Sequence, residues 1–97
     1  MSRLVWSPRS LADLEAIREH IAGDSDLYAG LVVSRLVAAP GRLLQFPRLG
    51  RVVPEFGEPN LRELIVRPYR VVYRLRGEAI EVVTVFHAAR MVPDLLP

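Results

Sequence analysis

The chain contains no lysine; all thirteen of its basic residues are arginine. It has no cysteine either, which excludes a disulfide framework and any thiolate metal site, so the core alone must hold the fold. That composition suits a reducing compartment, and a cytoplasmic location is expected. Long apolar runs are also missing. The longest charge-free apolar stretch, Leu27 to Ser34, is far short of the roughly 20 residues a membrane span needs. The opening Met1-Ser2-Arg3-Leu4-Val5-Trp6 has no signal-peptide apolar region. No membrane partner is expected. There is no glycine-rich phosphate loop. The two histidines, His20 and His87, fall on different elements, so metal-ligand spacing is absent and neither metal nor cofactor is expected.

What is present fits one domain spanning residues 1–97. Hydrophobic residues make up 51% of it, high for so small a chain. Apolar surface is therefore left over for a partner or for self-association. The formal charge is only +2. The arginine bias has two readings: codon usage in a GC-rich genome, or arginines placed to bind phosphate or carboxylate bidentately. Position has to decide between them.

Arg3 to Trp6 reads as a first strand. Ser7-Pro8 reads as N-cap and first position of a helix, with Ser10 and Asp13 as a second capping option. Leu11, Leu14, Ile17 and Ile21 share one helical face, and Gly23 is the expected C-cap. Asp24-Ser25-Asp26 starts a second helix with carboxylates at its positive end. Its stripe runs through Ala29, Val33, Leu36, Leu43 and Leu44, and Pro40-Gly41 should kink or break it. The helices are close enough in sequence to form an antiparallel hairpin. Residues 47–60 are proline- and glycine-rich, with Arg51-Val52-Val53 as a brief edge strand. Period-two segments then predict strands at about 61–66, 69–76 and 79–86. The order is β-α-α-β-β-β, an α+β layout with a helical hairpin packed on one face of a small antiparallel sheet. The closing Met91-Val92-Pro93-Asp94-Leu95-Leu96-Pro97 either lies across the sheet or frays.

Gly77-Glu78 reads as a two-residue type II′ turn with glycine first. It pairs Arg76 with Ala79, Leu75 with Ile80, Arg74 with Glu81, Tyr73 with Val82, Val72 with Val83 and Arg70 with Val85. One face then collects Tyr69, Val71, Tyr73, Leu75, Ile80, Val82, Thr84 and Phe86 as core. The other collects Arg70, Val72, Arg74, Arg76, Glu81, Val83, Val85 and His87. On this register Arg70 and His87 are diagonal neighbours on one face, and a slip of one residue would separate them.

Arg70, His87 and a loop carboxylate, Glu55 or Glu58, could supply the cation, acid and base for RNA cleavage by 2′-hydroxyl attack. The plain alternatives are a capping or surface histidine and cross-strand ion pairs, Arg74 with Glu81 being the default pair. Five arginines against one carboxylate, Glu63, lie between Arg62 and Arg76. They form either a phosphate- or acid-binding surface or a solvated sheet face. Tyr69 and Tyr73 point to the core, so base stacking is not supported. His20 sits where a helix C-terminus favours a cation. Trp6, Tyr28, Phe46 and Phe56 are read as core and staple residues rather than a ligand box.

Trp6-Ser7-Pro8 with Leu11-Ala12-Asp13-Leu14-Glu15-Ala16-Ile17, Phe46-Pro47-Arg48-Leu49-Gly50-Arg51, Leu61-Arg62-Glu63-Leu64-Ile65-Val66, Pro68-Tyr69-Arg70-Val71-Val72-Tyr73-Arg74 and Val85-Phe86-His87-Ala88-Ala89-Arg90 follow in this order. In them the chain resembles, over nearly its whole length, the RelE/ParE superfamily of toxins from bacterial type II toxin–antitoxin systems. The resemblance implies a growth-inhibitory toxin, of use in plasmid stabilisation and neutralised by a cognate antitoxin. Operator DNA would be bound only through the antitoxin, in complexes of higher order. It implies two targets. RelE-type members cut mRNA in the ribosomal A site; ParE-type members poison DNA gyrase. For the nuclease, Arg70 matches the phosphate-contacting arginine, His87 a general acid and Glu55 a general base. The absence of lysine, the absence of tyrosine after Tyr73, and Ala88-Ala89 behind the histidine depart from that pattern. The Trp-Ser-Pro opening and the His-Ala-Ala-Arg close look nearer the ParE side. Partner or target contacts are expected from Arg62, Arg74, Arg76 and Arg90, with Leu11 and Leu14 shared between core and groove.

Overall fold

Ser7 and Pro8 launch the helical layer as expected. The Ser7 hydroxyl oxygen accepts a hydrogen bond from the Ser10 N–H at 3.0 Å, and its O–H donates to the Val83 carbonyl at 2.8 Å. The structure, a computed structural model, describes residues 2–95; Met1, Leu96 and Pro97 lie outside the described residues. The elements are β1 (Arg3–Trp6), α1 (Pro8–Ala22), α2 (Asp26–Ala38), a 3-10 segment (Ala39–Leu44), β2 (Arg51–Val52), β3 (Leu61–Val66), β4 (Tyr69–Arg76) and β5 (Ala79–His87). Gly23 caps α1 with ordinary right-handed angles, so glycine's extra freedom is not used there. Pro40 acts as expected: the α-helix tightens into the 3-10 segment beside it.

The sheet order is β1-β5-β4-β3-β2. Four strands are mutually antiparallel, and β1 runs parallel to β5, from Arg3 opposite Ala79 to Trp6 opposite Val82. The α+β layout with one helical layer is the expected one. The parallel edge was not foreseen, because a strand's residue pattern does not name its neighbour.

On the helix side Leu14, Val32, Leu36, Val71, Val82 and Val85 form the main core. Burying each such side chain is worth about 1.5–3 kcal/mol. Leu43, Tyr73 and Ile80 extend the core under the 3-10 segment. Fully buried Tyr73 satisfies its hydroxyl by donating to the Pro47 carbonyl at 2.8 Å and accepting from the Gly50 N–H at 2.9 Å. This close approach requires glycine at position 50. A Cβ there would stand 2.5 Å from the Glu63 carbonyl oxygen and 2.7 Å from the Tyr73 ring. On the open side of the sheet Val53, Leu61, Val72, Phe86 and Leu95 form a second apolar cluster. The closing segment therefore lies across the sheet as far as Leu95, and the Arg9 guanidinium donates to the Asp94 carbonyl at 3.2 Å.

The β4–β5 register corrects the expectation halfway along. Gly77 has φ +60, as a type II′ turn with glycine first demands, and among the described residues no non-glycine residue has positive φ. The pairs from Arg76–Ala79 to Tyr73–Val82 are those expected. Then Val72 pairs with Thr84, Val71 with Val85, Arg70 with Phe86 and Tyr69 with His87. Val83 is the extra residue of a β-bulge, which places two residues of one strand against one of the other. Asp13 of α1 completes it. Its Oδ2 accepts from the Thr84 hydroxyl at 2.5 Å and from the Val85 N–H at 3.0 Å. The slip turns Val85 to the helix side and Phe86 to the open side, the reverse of the expected faces. It also puts Arg70 and His87 on opposite faces of the sheet.

The continuous helical run Asp26–Leu44 is 19 residues long and by length and composition could cross a membrane. Its inner residues Ala29, Val32, Leu36 and Leu43 are core residues of this domain.

Candidate functional site

β4 aims Arg70 at the open face, where β5 supplies Phe86 opposite it. The guanidinium carbon sits 5.2 Å from the Phe86 ring centroid, a cation–π contact. β3 contributes Glu63, which is 1% exposed. It is reached because the short Arg67-Pro68 connection sets Ile65 opposite Arg70 and Glu63 opposite Val72. The proline-rich loop after β2 brings Glu55 over the top.

Arg70 Nε donates to Glu63 Oε1 at 2.7 Å, and Arg70 Nη2 lies 2.6 Å from the same oxygen. The outer edge is bidentate to Glu55, with Nη1 to Oε2 at 2.9 Å and Nη2 to Oε1 at 2.8 Å. Glu63 Oε2 takes a third arginine contact, from Arg51 Nε at 2.6 Å. Two arginines and two carboxylates thus close a neutral cluster. Arg70 is 7% exposed, and both in-plane edges of its guanidinium are occupied.

The electrostatics follow from that closure. The hydrogen bond from Arg70 holds the Glu55 carboxyl down at about 2, well below its ordinary value. The same bond to Glu55, with those to Glu63, raises the Arg70 guanidinium further above its already high value. A carboxylate held so low is a poor proton acceptor near neutral pH. As built, the cluster is an ion-pair lock rather than an acid–base pair.

His87 lies on the other side of the sheet. Its Nδ1 accepts from the Ala89 N–H at 3.0 Å, and its ring meets Tyr69 edge-on at 5.7 Å. It borders a hollow of about 310 Å³ with His20, Tyr28, Arg35 and Tyr69. Burial pushes the Tyr69 hydroxyl up from its ordinary value. The structure therefore brings Arg70 and Glu55 together and leaves His87 apart from them.

The expected partner residues divide in the same way. Arg62 is engaged with backbone, donating to the Pro59 carbonyl at 2.8 Å and the Gly50 carbonyl at 2.9 Å. Leu14 is a core residue, whereas Leu11 is 54% exposed; sharing between core and groove does not apply to Leu14. Arg74 and Arg76 border a hollow of about 460 Å³ on the open face with Arg9, Glu81 and Asp94. Arg90 is exposed. Of the four aromatics read as core or staple, Trp6 packs on the core, while Tyr28, Phe46 and Phe56 are exposed.

Sequence reasoning missed Glu63, Asp13 and Gly50 as organising residues. Glu63 had a signal: it shares one face of its strand with the apolar Leu61 and Ile65, and a tight β3–β4 turn places it diagonally from Arg70. Asp13 had none, since its partners are more than 70 residues away.

Residues 4–92 match the family model described as the ParE toxin of type II toxin–antitoxin systems, parDE. The chain is 38% identical over 92 residues to Toxin RelE2 of Caulobacter vibrioides, covering 94% of this chain and 100% of that one. It is 29% identical over 86 residues to Toxin ParE3 of the same organism, covering 88% and 85%. A solved structure titled "Chromosomal ParDE TA system from P. aeruginosa" superposes with a TM-score of 0.75 at 27% identity. The match covers 90% of this chain and 96% of that one.

Proposed function

The chain belongs to the ParE toxin family of type II toxin–antitoxin systems, within the RelE/ParE superfamily, and from that premise we propose that it arrests growth by poisoning DNA gyrase. The observation that carries the reading is the closed state of Arg70. A phosphate needs a free edge of the guanidinium, and both edges are held by Glu55 and Glu63. A ribosome-dependent nuclease would further need His87, which faces the helix side. The resemblance to Toxin RelE2 keeps mRNA cleavage by Arg70, His87 and Glu55 as the second reading.

A cognate antitoxin is the expected partner. Acidic side chains of the antitoxin meet Arg74 and Arg76 at the open-face hollow and Arg90, four residues before that hollow's Asp94, and an apolar side chain covers Leu11. Operator DNA is reached only through the antitoxin, and the complex forms in the cytoplasm.

The test is induction without antitoxin, followed by two assays. Purified gyrase should accumulate DNA cleavage complexes in the presence of the protein, and primer extension on translating ribosomes should reveal no new mRNA ends. Ribosome-dependent cutting that disappears in Arg70→Ala or His87→Ala would overturn the gyrase reading in favour of the nuclease.

A further inference from the structure

Of the two tyrosines expected in the core, only Tyr73 is fully buried. Tyr69 is half-buried and opens on the hollow of about 310 Å³ on the helix side of the sheet. Tyr28 of α2 lines the same hollow, close enough to Tyr69 for the two hydroxyls to interact electrostatically. The volume is at the lower end of ordinary small-ligand sites. The rest of the polar wall converges from separate elements: His20 from α1, Asp24 from the turn after it, Arg35 from α2 and His87 from the end of β5. Among the described residues, no hydrogen bond or ion pair engages the side-chain polar atoms of His20, Asp24, Tyr28, Arg35 or Tyr69. The Arg70 cluster on the open face is the opposite case, with both edges of its guanidinium taken.

The hollow is polarised from end to end. Tyr28 and Arg35 are seven residues apart, on one flank of α2 and roughly 10 Å apart along its axis. Asp24 precedes Tyr28 by four residues. One end therefore offers an aromatic face and a carboxylate acceptor, the other a fixed cation. Across from them His87 is a donor of known orientation. Its Nδ1 accepts from the Ala89 N–H, so the neutral ring carries its proton on Nε2. Burial favours the protonated Tyr69 hydroxyl, a second donor. A ligand that uses all of these groups has a planar ring with donors and acceptors on its edge, and an anion held away from that ring. A protein aromatic side chain carries at most two ring heteroatoms and no anion. A nucleobase carries both kinds of group and has a face for stacking, and its phosphate suits the two-pronged guanidinium.

We propose that this hollow binds a nucleotide. The base lies against Tyr28 and Tyr69, its edge meets Asp24 and the His87 Nε2–H, and its phosphate sits on Arg35. A free nucleoside monophosphate and an unpaired nucleotide of a single strand share this chemistry. The site is on the opposite face of the sheet from Arg70 and goes beyond the choice between gyrase and mRNA.

Both histidines of the chain border the hollow, so proton NMR of the imidazole resonances of the whole chain reports on it directly. Titration with adenosine 5′-monophosphate should displace both resonances and saturate. Tyr28→Ala should weaken binding at least about fivefold, the worth of one stacked base. Arg35→Ala should bring the monophosphate down to the affinity of adenosine and leave adenosine itself unchanged. Tyr28 and Arg35 are exposed, so neither substitution should alter the circular dichroism spectrum. A short oligodeoxyadenylate that binds more tightly than the monophosphate identifies a single strand as the source of the nucleotide; equal affinity identifies the free nucleotide. Inorganic phosphate that binds as tightly as the monophosphate, with no effect of Tyr28→Ala, overturns the proposal by reducing the hollow to a simple anion site. Histidine resonances unmoved by either adenosine monophosphate or the oligonucleotide at millimolar concentration overturn it outright.

Discussion

On the helix side of β4, Val71 is buried among Leu14, Val32, Leu36, Val82 and Val85. One residue earlier, on the open side, Arg70 is also buried, but by two carboxylates and the face of Phe86. The first environment is non-directional. Any side chain of similar volume satisfies it, and its strength scales with area removed from water. The second depends on geometry. Each charge is tolerable only because its partner sits within 3 Å, and removing one leaves another stranded. The difference explains why the helix face is readable as a pattern and the open face is not.

The largest effect expected is on the helix side. Leu36→Ala removes a side chain with no exposure at all and should cost about 3–4 kcal/mol in urea unfolding. Arg70→Met should cost about 3 kcal/mol, because Glu63 keeps only Arg51 as a partner in its buried site. Adding Glu63→Leu to Arg70→Met should recover much of that loss, since an apolar pair of similar size can replace a buried ion pair. A Leu36→Ala variant cannot be rescued by any change of charge. If the double variant is no better than Arg70→Met alone, the open face is held by more than charge matching.

The smallest effect concerns Glu55, whose side chain is 45% exposed. Its carboxyl is held at about 2, below the ordinary 4.5. A depressed folded-state value contributes stability above about 4.5 that is lost as pH falls through about 2. Glu55→Gln should therefore be less stable than the parent at pH 7 by about 1 kcal/mol or less, the range of a half-exposed pair. The gap should close between about pH 4.5 and pH 2. A gap that stays constant across that window would show that Glu55 acts through packing rather than charge.

Much of this was legible beforehand. Ser7-Pro8, the helical stripe through Leu14 and the period-two runs around Tyr73 each obey local rules, so the elements and their order follow from neighbouring residues alone. Arg70 with a loop carboxylate, Glu55 or Glu58, was read from the chemistry of the residues and narrowed to Glu55 by the family resemblance, and the structure brings Glu55 and Arg70 together as an ion pair. The pairing of Arg70 with His87 failed for a definite reason. It extended a hairpin register from the Gly77 turn past Val83, where the strand bulges.

By itself the amino-acid sequence determined the α+β layout, the helix starts, the turn at Gly77 and the superfamily. Each of these depends on residues a few positions apart or on a pattern spread along the chain. Only the tertiary structure decided which strand β1 joins, where Leu95 lies, and which face His87 occupies. The last was decided by Asp13, which accepts the bulge's Thr84 hydroxyl and Val85 N–H from a helix far away in sequence. A bulge leaves donors that need an acceptor, and that acceptor is supplied by the fold, not by the strand.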